Sequence, residues 1–385
     1  MNIECGKLDK SNNRKNIPCD TRKRGNIMNL RKISSILAIV LVLALTGCSN
    51  KGVNSSETKE SATPSDTADT STANENTSTD TTEYPITIKH AFGETVIESK
   101  PENIATISWG NQDVPLALGV VPVGVSQANY GVTDDSGLLP WTGEKFKELG
   151  VESPAIYKDT DGLDYEAISD SNPDVILAAY SGITQEEYDL LSQIAPVVAY
   201  PTAPWETLWR DQITLDATGM GMKAEGEQLV SDLDNLITEK ISAYPQIEGK
   251  TAAFFYFNPA DLGKFYVYLP ADPRAAYLTD LGLEVPESVK KLEEGATSFA
   301  IELSAENVDL LQDIDVIVAY GDETLLKALQ SDALIGTLPA VKRGSVALIA
   351  DGTPLAASGT PSALSIPATI DEYLSILGEA ADKVE

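Results

Sequence analysis

The stretch DYEAISDSNPDVILAAYSG (Asp164–Gly182) reads as a helix that feeds a buried strand. LSAENVDLLQDIDVIVAYG (Leu303–Gly321) says nearly the same thing again, and each copy carries a Glu near the start of its helix. The alternation continues on both sides. NIATISWG (Asn103–Gly110), VPVGVS, PDVILAAY and APVVAYP read as strands, with QDVPLALGV, DYEAIS and EEYDLLSQI as helices among them. Later, KTAAFFYF, DVIVAYG and GSVALIA read as strands, with PRAAYLTDLG, AENVDLLQ, TLLKALQ and the terminal PATIDEYLSILGEAA as helices. Strands alternating with helices imply parallel α/β sheets. Ahead of them, YPITIKHAFGETVIES has two alternating segments flanking Gly93 and reads as a small hairpin.

Between the two copies the pattern changes. Thr207–Thr218 reads as helical. KAEGEQLVSDLDNLITEKISAY (Lys223–Tyr244) reads as a longer amphipathic helix, with Leu229, Leu233, Leu236, Ile237 and Ile241 on one side and Pro245 ending it. The expected fold is therefore α/β, with two lobes of parallel sheet, residues 84–222 and 245–385, joined by one long helix at 223–244. One large doubly wound sheet would give the same recurrence without the division.

The segment before residue 84 stands outside this fold. MNLRKISSILAIVLVLALTGC (Met28–Cys48) has a basic start, an apolar core from Ile33 to Leu45, then small residues and a cysteine. It reads as a secretory signal at 28–47, too short for a comfortable membrane span. LTGC (Leu45–Cys48) resembles a bacterial lipobox, which makes Cys48 the expected lipidation site. Residues 1–27 precede the signal and read as an upstream extension, with Met28 where an initiator belongs. Cys5 and Cys19 leave with that segment, so neither a disulfide framework nor thiol chemistry is expected. Residues 48–83, rich in Ser, Thr, Asp, Glu and Asn, cannot bury enough surface to fold and read as a tether.

The chain has 58 Asp and Glu against 28 Lys and Arg, a net charge of −30. Nucleic acid is excluded as a partner by that field. Enzyme chemistry finds little support. The single His of the chain, His90, lies in the expected hairpin and reads as a satisfied strand residue, without a G-x-S-x-G elbow to build a triad on. GMGMKAEG (Gly219–Gly226) breaks the dinucleotide pattern and follows a helix. DTDGLD (Asp159–Asp164) has its Gly too early for a calcium loop and reads as a polar turn. One His and one lipidated Cys cannot ligate a transition metal, so any metal arrives already coordinated.

Aromatic residues stand at expected strand ends, where open α/β sheets bind ligands. Trp109, Tyr180, Trp205, Tyr268 and Tyr320 are the candidate walls of a cleft for a large, flat, partly apolar ligand. Tyr200 and Tyr266 read as core caps. Arg274, at the start of a helix in ADPRAAYL, is poorly placed for the dipole and well placed to meet an anion, with a local pair to Asp272 as the alternative. Arg210 reads as a solvated mid-helix residue and Arg343 as part of a turn.

The lipobox, ITIKHAFGETVIESKPENIATISWGNQDVPLALGVVPVGV, SGLLPWTGEKFKELG, APVVAYPTAPWETLWRDQ and DPRAAYLTDLGL together resemble the substrate-binding lipoproteins of ABC importers, specifically the iron–siderophore group. The likeness runs from Tyr84 to the C-terminus. It implies two Rossmann-like lobes joined by a rigid helix, a ferric siderophore in the cleft between them, no catalytic residues and no resident cofactor. It also implies a monomer lipid-anchored on the outer face of a cell membrane, of Gram-positive type, that docks on an ABC permease through one Glu per lobe. By motif these are Glu166, seven residues before Pro173, and Glu306, with Glu302 a nearby competitor. Cobalamin or haem in the same fold remains an alternative ligand, although no His or Met is placed as a haem axial ligand. A surface adhesion or signalling module is the alternative of another class.

Overall fold

The computed structural model describes residues 82–384; the expected signal, the expected lipidation site Cys48 and nearly all of the expected tether lie outside the described residues. Strands β1 (Ile86–His90) and β2 (Gly93–Ile97) form the hairpin about Gly93. It packs onto the first sheet: the Thr95 hydroxyl donates to the Val197 carbonyl at 2.7 Å. His90 is buried there, within 2.9 Å of the Thr95 hydroxyl, and burial lowers its pKa. It is a satisfied strand histidine.

Strands β3 (Ile104–Thr106), β4 (Gly124–Ser126), β5 (Ile156–Tyr157), β6 (Val175–Ala178) and β7 (Val197–Ala199) form a sheet of order β5-β4-β3-β6-β7, parallel throughout. Every residue of β6 is buried, as a strand covered on both faces requires. The second sheet contains β8 (Ala252–Asn258), β9 (Asp261–Tyr268), β10 (Ala300–Ser304), β11 (Val316–Tyr320) and β12 (Val346–Ile349), in the order β10-β9-β8-β11-β12. Here β8, β11 and β12 are parallel, while β9 runs antiparallel to both β8 and β10. This antiparallel half was not in the α/β reading. Along the end of β9 only Phe265 and Val267 are fully buried, with Lys264 exposed and Tyr266 half-buried, the alternation of a strand with one face outward.

The written repeat has a structural counterpart. Asp174, just before β6, accepts the amides of Glu102 and Asn103 at 2.9 and 2.8 Å and so ties down the start of β3. Asp315, just before β11, accepts the Thr251 amide at 3.0 Å at the start of β8. The helices feeding the two strands differ: Tyr165–Asp170 is an α-helix, whereas Ala305–Leu311 is wound as a 3₁₀ helix.

The long helix is Lys223–Ile241, stopping before the expected Tyr244 because Ser242 and Ala243 already turn. It packs beside the helix Trp209–Gly219, which starts after the expected Thr207; the Thr207 hydroxyl instead donates to the Ala179 carbonyl at 2.6 Å. One apolar core runs through both lobes, from Val114, Trp209 and Ile213 through Leu233 and Ile237 to Phe254, Tyr277 and Tyr373. Arg210 is not simply solvated. It pairs with Asp234 of the long helix at 2.6 Å and Asp280 of the helix Pro273–Asp280 at 2.8 Å, its guanidinium 4.2 Å from the Trp209 ring centre. Helices from both lobes are thus bolted to the connecting helix, which limits how far the lobes can swing. Among the described residues, none of the helices is long and apolar enough to cross a membrane.

Candidate binding cleft

The loops after β3, β4, β5, β6 and β7 converge on a cavity of about 430 Å³. They bring Trp109, Gln127, Asp159, Tyr180 and Trp205 to its wall, and the second lobe contributes Arg274, Phe299 and Thr360. The volume lies within the range of small-molecule sites. The position, outside the carboxyl ends of parallel strands, is where open α/β sheets leave room for a ligand.

The aromatic wall is held by its backbone. Among the described residues, three non-glycine residues have positive φ, and two of them, Ser108 at 66° and Trp205 at 64°, border the cleft. Such strain persists where the surroundings fix it. The Trp205 amide is fixed by the Ser181 carbonyl at 3.0 Å, and its indole meets the Tyr180 ring edge-on at 5.3 Å. The indole lies directly over Gly182: a Cβ there would sit 2.2 Å from Trp205 Nε1. Trp205 is still 37 % exposed, a large apolar face turned to solvent at the mouth of a cavity.

Beneath this wall lie residues that the pattern of the chain did not reveal. Asn111 is fully buried; its amide nitrogen donates to the carbonyls of Ile107 and Tyr180, and its oxygen accepts the Tyr180 amide at 3.0 Å. Gln212 donates from Nε2 to Asn111 Oδ1 and to the Trp109 carbonyl, both at 3.0 Å. These two amides lock the Trp109 and Tyr180 loops together. Their only sequence signal was a polar pair in WGNQDV and an amide amid a helix, which predicts nothing without knowing that both are buried.

Arg274 lines the cleft, but its charge is met within its own lobe. Nε and Nη2 donate to the two carboxylate oxygens of Asp272 at 2.8 and 2.6 Å, and Asp272 also caps the helix by accepting the Arg274 amide. Asp272 is completely buried. Burial opposes the guanidinium's charge, but the Asp272 carboxylate keeps its pKa well above the ordinary value. Tyr268 lies under it, with the guanidinium 4.2 Å from the ring centre. Tyr320 donates to the Ala356 carbonyl at 3.1 Å. Tyr268 and Tyr320 do not border the cavity. Both are half-buried and pack against Arg274, which does line it.

Tyr200 is a core residue, its hydroxyl donating to the Ile183 carbonyl at 3.0 Å. Tyr266 is not a core cap. It faces outward beside Lys264, and both bind the Glu302 carboxylate, at 2.5 and 2.9 Å. That engagement ties Glu302 into the sheet. Glu166 and Glu306 are exposed, each in the first turn of its helix, after the caps Asp164 and Ser304. Because each helix runs back to feed a parallel strand, its N-terminus lies at the carboxyl end of its sheet, the end that carries the cleft. Among the described residues, nowhere are three or more His, Cys, Asp or Glu side chains grouped to hold a metal ion.

Two lobes of α/β sheet on one helical backbone, with an aromatic cleft at the strand ends, define a solute-binding protein. The chain belongs to the periplasmic binding protein family, whose model matches residues 104–352. It is 53 % identical to PiaA of Streptococcus pneumoniae TIGR4, solved in complex with ferrichrome; the match covers 78 % of this chain and 100 % of that one, with a TM-score of 0.76. SirA of Staphylococcus aureus, complexed with staphyloferrin B, is 25 % identical over 76 % of this chain and 98 % of its own, with a TM-score of 0.57. The probable siderophore-binding lipoprotein YfiY of Bacillus subtilis (strain 168) is 24 % identical over 301 residues, 74 % of this chain and 87 % of that protein.

Proposed function

We propose that this protein captures a ferric siderophore outside the cytoplasm and delivers it to the permease of an ABC importer. One observation carries the reading: a cleft walled by Trp109, Tyr180, Trp205 and Arg274 in a chain 53 % identical to a protein solved with ferrichrome. A hydroxamate chelate is the ligand class that this likeness favours. The aromatic faces supply contact area, and the Arg274 guanidinium at the wall supplies a donor for a chelate oxygen. Iron is cargo in this reading and comes already coordinated; the protein is a binder rather than an enzyme and holds no resident cofactor.

Delivery completes the proposal. Glu166 and Glu306, one on each lobe, are the docking points for the permease, and the continuous core through the connecting helix makes lobe closure modest. The protein acts as a monomer, tethered by a lipid on Cys48. Titrating intrinsic Trp fluorescence with ferrichrome tests the binding step, because Trp109 and Trp205 border the cleft. Saturable quenching at low micromolar ligand is expected. No quenching by ferrichrome, alongside quenching by cobalamin or haem, would replace the siderophore with one of those ligands.

A further inference from the structure

The charges around the cleft do not match a generic anion trap. The lining contains one cation, Arg274, and two carboxylates, Asp159 and Glu187, and no lysine. Arg274 is neutralised by Asp272, as described above. Glu187 has its own work at the rim, closing a capping box with Thr184 through Oε2. Asp159 does not. It comes from the DTDGLD turn after β5, and its side chain enters the cavity wall. A relay holds it there: the Ser108 amide donates to Ser126 Oγ at 2.8 Å, and the Ser126 hydroxyl donates to Asp159 Oδ2. Backbone amides of Asp159 itself and of Gln127 also reach the carboxylate, which still lines the cavity.

We propose that Asp159 sets the sign of charge the cleft accepts, excluding anionic ferric chelates and admitting neutral or positively charged ones. This rests on the siderophore reading above. An anionic chelate would bring like charge against a half-buried carboxylate that the Asp272-paired Arg274 does not offset. Desolvation in the closed cleft strengthens that repulsion. A neutral tris-hydroxamate meets no such cost, and a cationic one gains a partner. Burial pushes the Asp159 carboxyl above its ordinary pKa, and the nearby Asp164 adds to the shift. A ligand cation would relieve both effects, whereas an anion would deepen them.

The test compares three chelates by fluorescence titration: neutral ferrichrome, cationic ferrioxamine B and an anionic ferric tris-catecholate. Wild type should bind the first two well and the third poorly. Relative to ferrichrome, Asp159→Asn should strengthen the anion and weaken the cation each by about tenfold, the scale of one partly screened charge interaction. Asp159→Glu, which keeps the charge, should preserve the wild-type order, and melting curves establish that both variants fold. Binding of ferrichrome with an unchanged anion-to-cation ratio in Asp159→Asn overturns the charge filter while leaving the siderophore reading intact. Wild type that binds none of the three overturns both.

Discussion

Tyr130 of the first lobe donates its phenol proton to Asp351 Oδ1 at 2.6 Å and accepts the Gly352 amide at 3.1 Å, so one side chain grips the loop that follows β12 in the second lobe. Its ring also meets that of Tyr320 at 6.3 Å. Tyr130 is half-buried at the edge of the shared core and Asp351 is exposed, which makes the contact a latch rather than a foundation. Tyr130→Phe removes both hydrogen bonds and keeps the ring. Global stability should fall by less than about 1.5 kcal/mol, since each bond exchanges with water. Amides at 351–353 should exchange hydrogen faster than in wild type, because local opening no longer costs the latch. Unchanged exchange there would show that the packing of Gly131 against Ala357 and Thr353 holds the lobes without it.

Asp113 is a second joint between the lobes, and it makes stability depend on pH. Its carboxylate is buried and accepts from Trp141 Nε1, the Thr142 hydroxyl and the Ser362 hydroxyl, the last from the far lobe, at 3.0, 2.8 and 2.5 Å. Burial raises its pKa to about 6, against the downward pull of those donors. The folded state therefore holds a proton that the unfolded state has lost between the two pKa values. That contribution to stability is fully present below the unfolded value near 4 and is lost as pH rises through about 6, worth roughly 2–3 kcal/mol. Urea unfolding from pH 4 to 7 should show this decline in wild type, superposed on the opposite trends of other carboxylates. In Asp113→Asn the component should vanish, even though the amide, with one acceptor in place of two, lowers stability at every pH. A wild-type slope that survives in Asp113→Asn would assign it to another buried acid; Asp216, whose pKa burial also raises, is the one to examine next.

What the chain disclosed and what it hid divide along a physical line. The parallel strands were legible because burial on both faces forces continuous apolar runs such as VILA (Val175–Ala178), and turn residues bound them. The long helix was legible from its apolar stripe. The β9–β10 half was not, since KFYVYLP alternates in a way that suits several contexts and its partner strand AIELS lies some thirty residues on. Trp109, Tyr180 and Trp205 were legible because strand ends were predictable, and Arg274 because it opens a helix. Tyr268 and Tyr320 also end strands and pack against Arg274, a contact that depends on side-chain packing. Asn111, Gln212, Asp113 and Asp159 were invisible: in so acidic and polar a chain, a single amide or carboxylate acquires meaning only when the fold buries it.

Gly182 is the thinnest point of the aromatic wall. A methyl group at this position cannot coexist with the Trp205 indole where it lies, since Nε1 would be 2.2 Å away. Gly182→Ala should push the indole off Tyr180 and out of the cleft. Loss of one well-placed aromatic contact, of order 1–1.5 kcal/mol, corresponds to roughly tenfold weaker binding. The ferrichrome titration should show this with a smaller quench, while the melting temperature moves little because Trp205 is already 37 % exposed. Wild-type affinity in Gly182→Ala would remove Trp205 from the binding surface.

Docking and ligand capture should separate in the double variant Glu166→Ala, Glu306→Ala. Both side chains are exposed at helix starts, and neither borders the cavity, so ferrichrome affinity should remain within about twofold of wild type, the effect of distant, screened charge. Transport should respond otherwise. Truncating one carboxylate of a desolvated interfacial charge pair costs about 2–5 kcal/mol, so each single variant should impair uptake of iron from ferrichrome and the double variant should abolish it. Glu302 is the internal control. It is already held by Lys264 and Tyr266, so Glu302→Gln should affect uptake far less than Glu306→Ala. Full uptake in the double variant would leave the permease without its proposed handles. Lost affinity would instead mean that these residues belong to the cleft, which their position at the carboxyl ends of the two sheets makes a fair comparison.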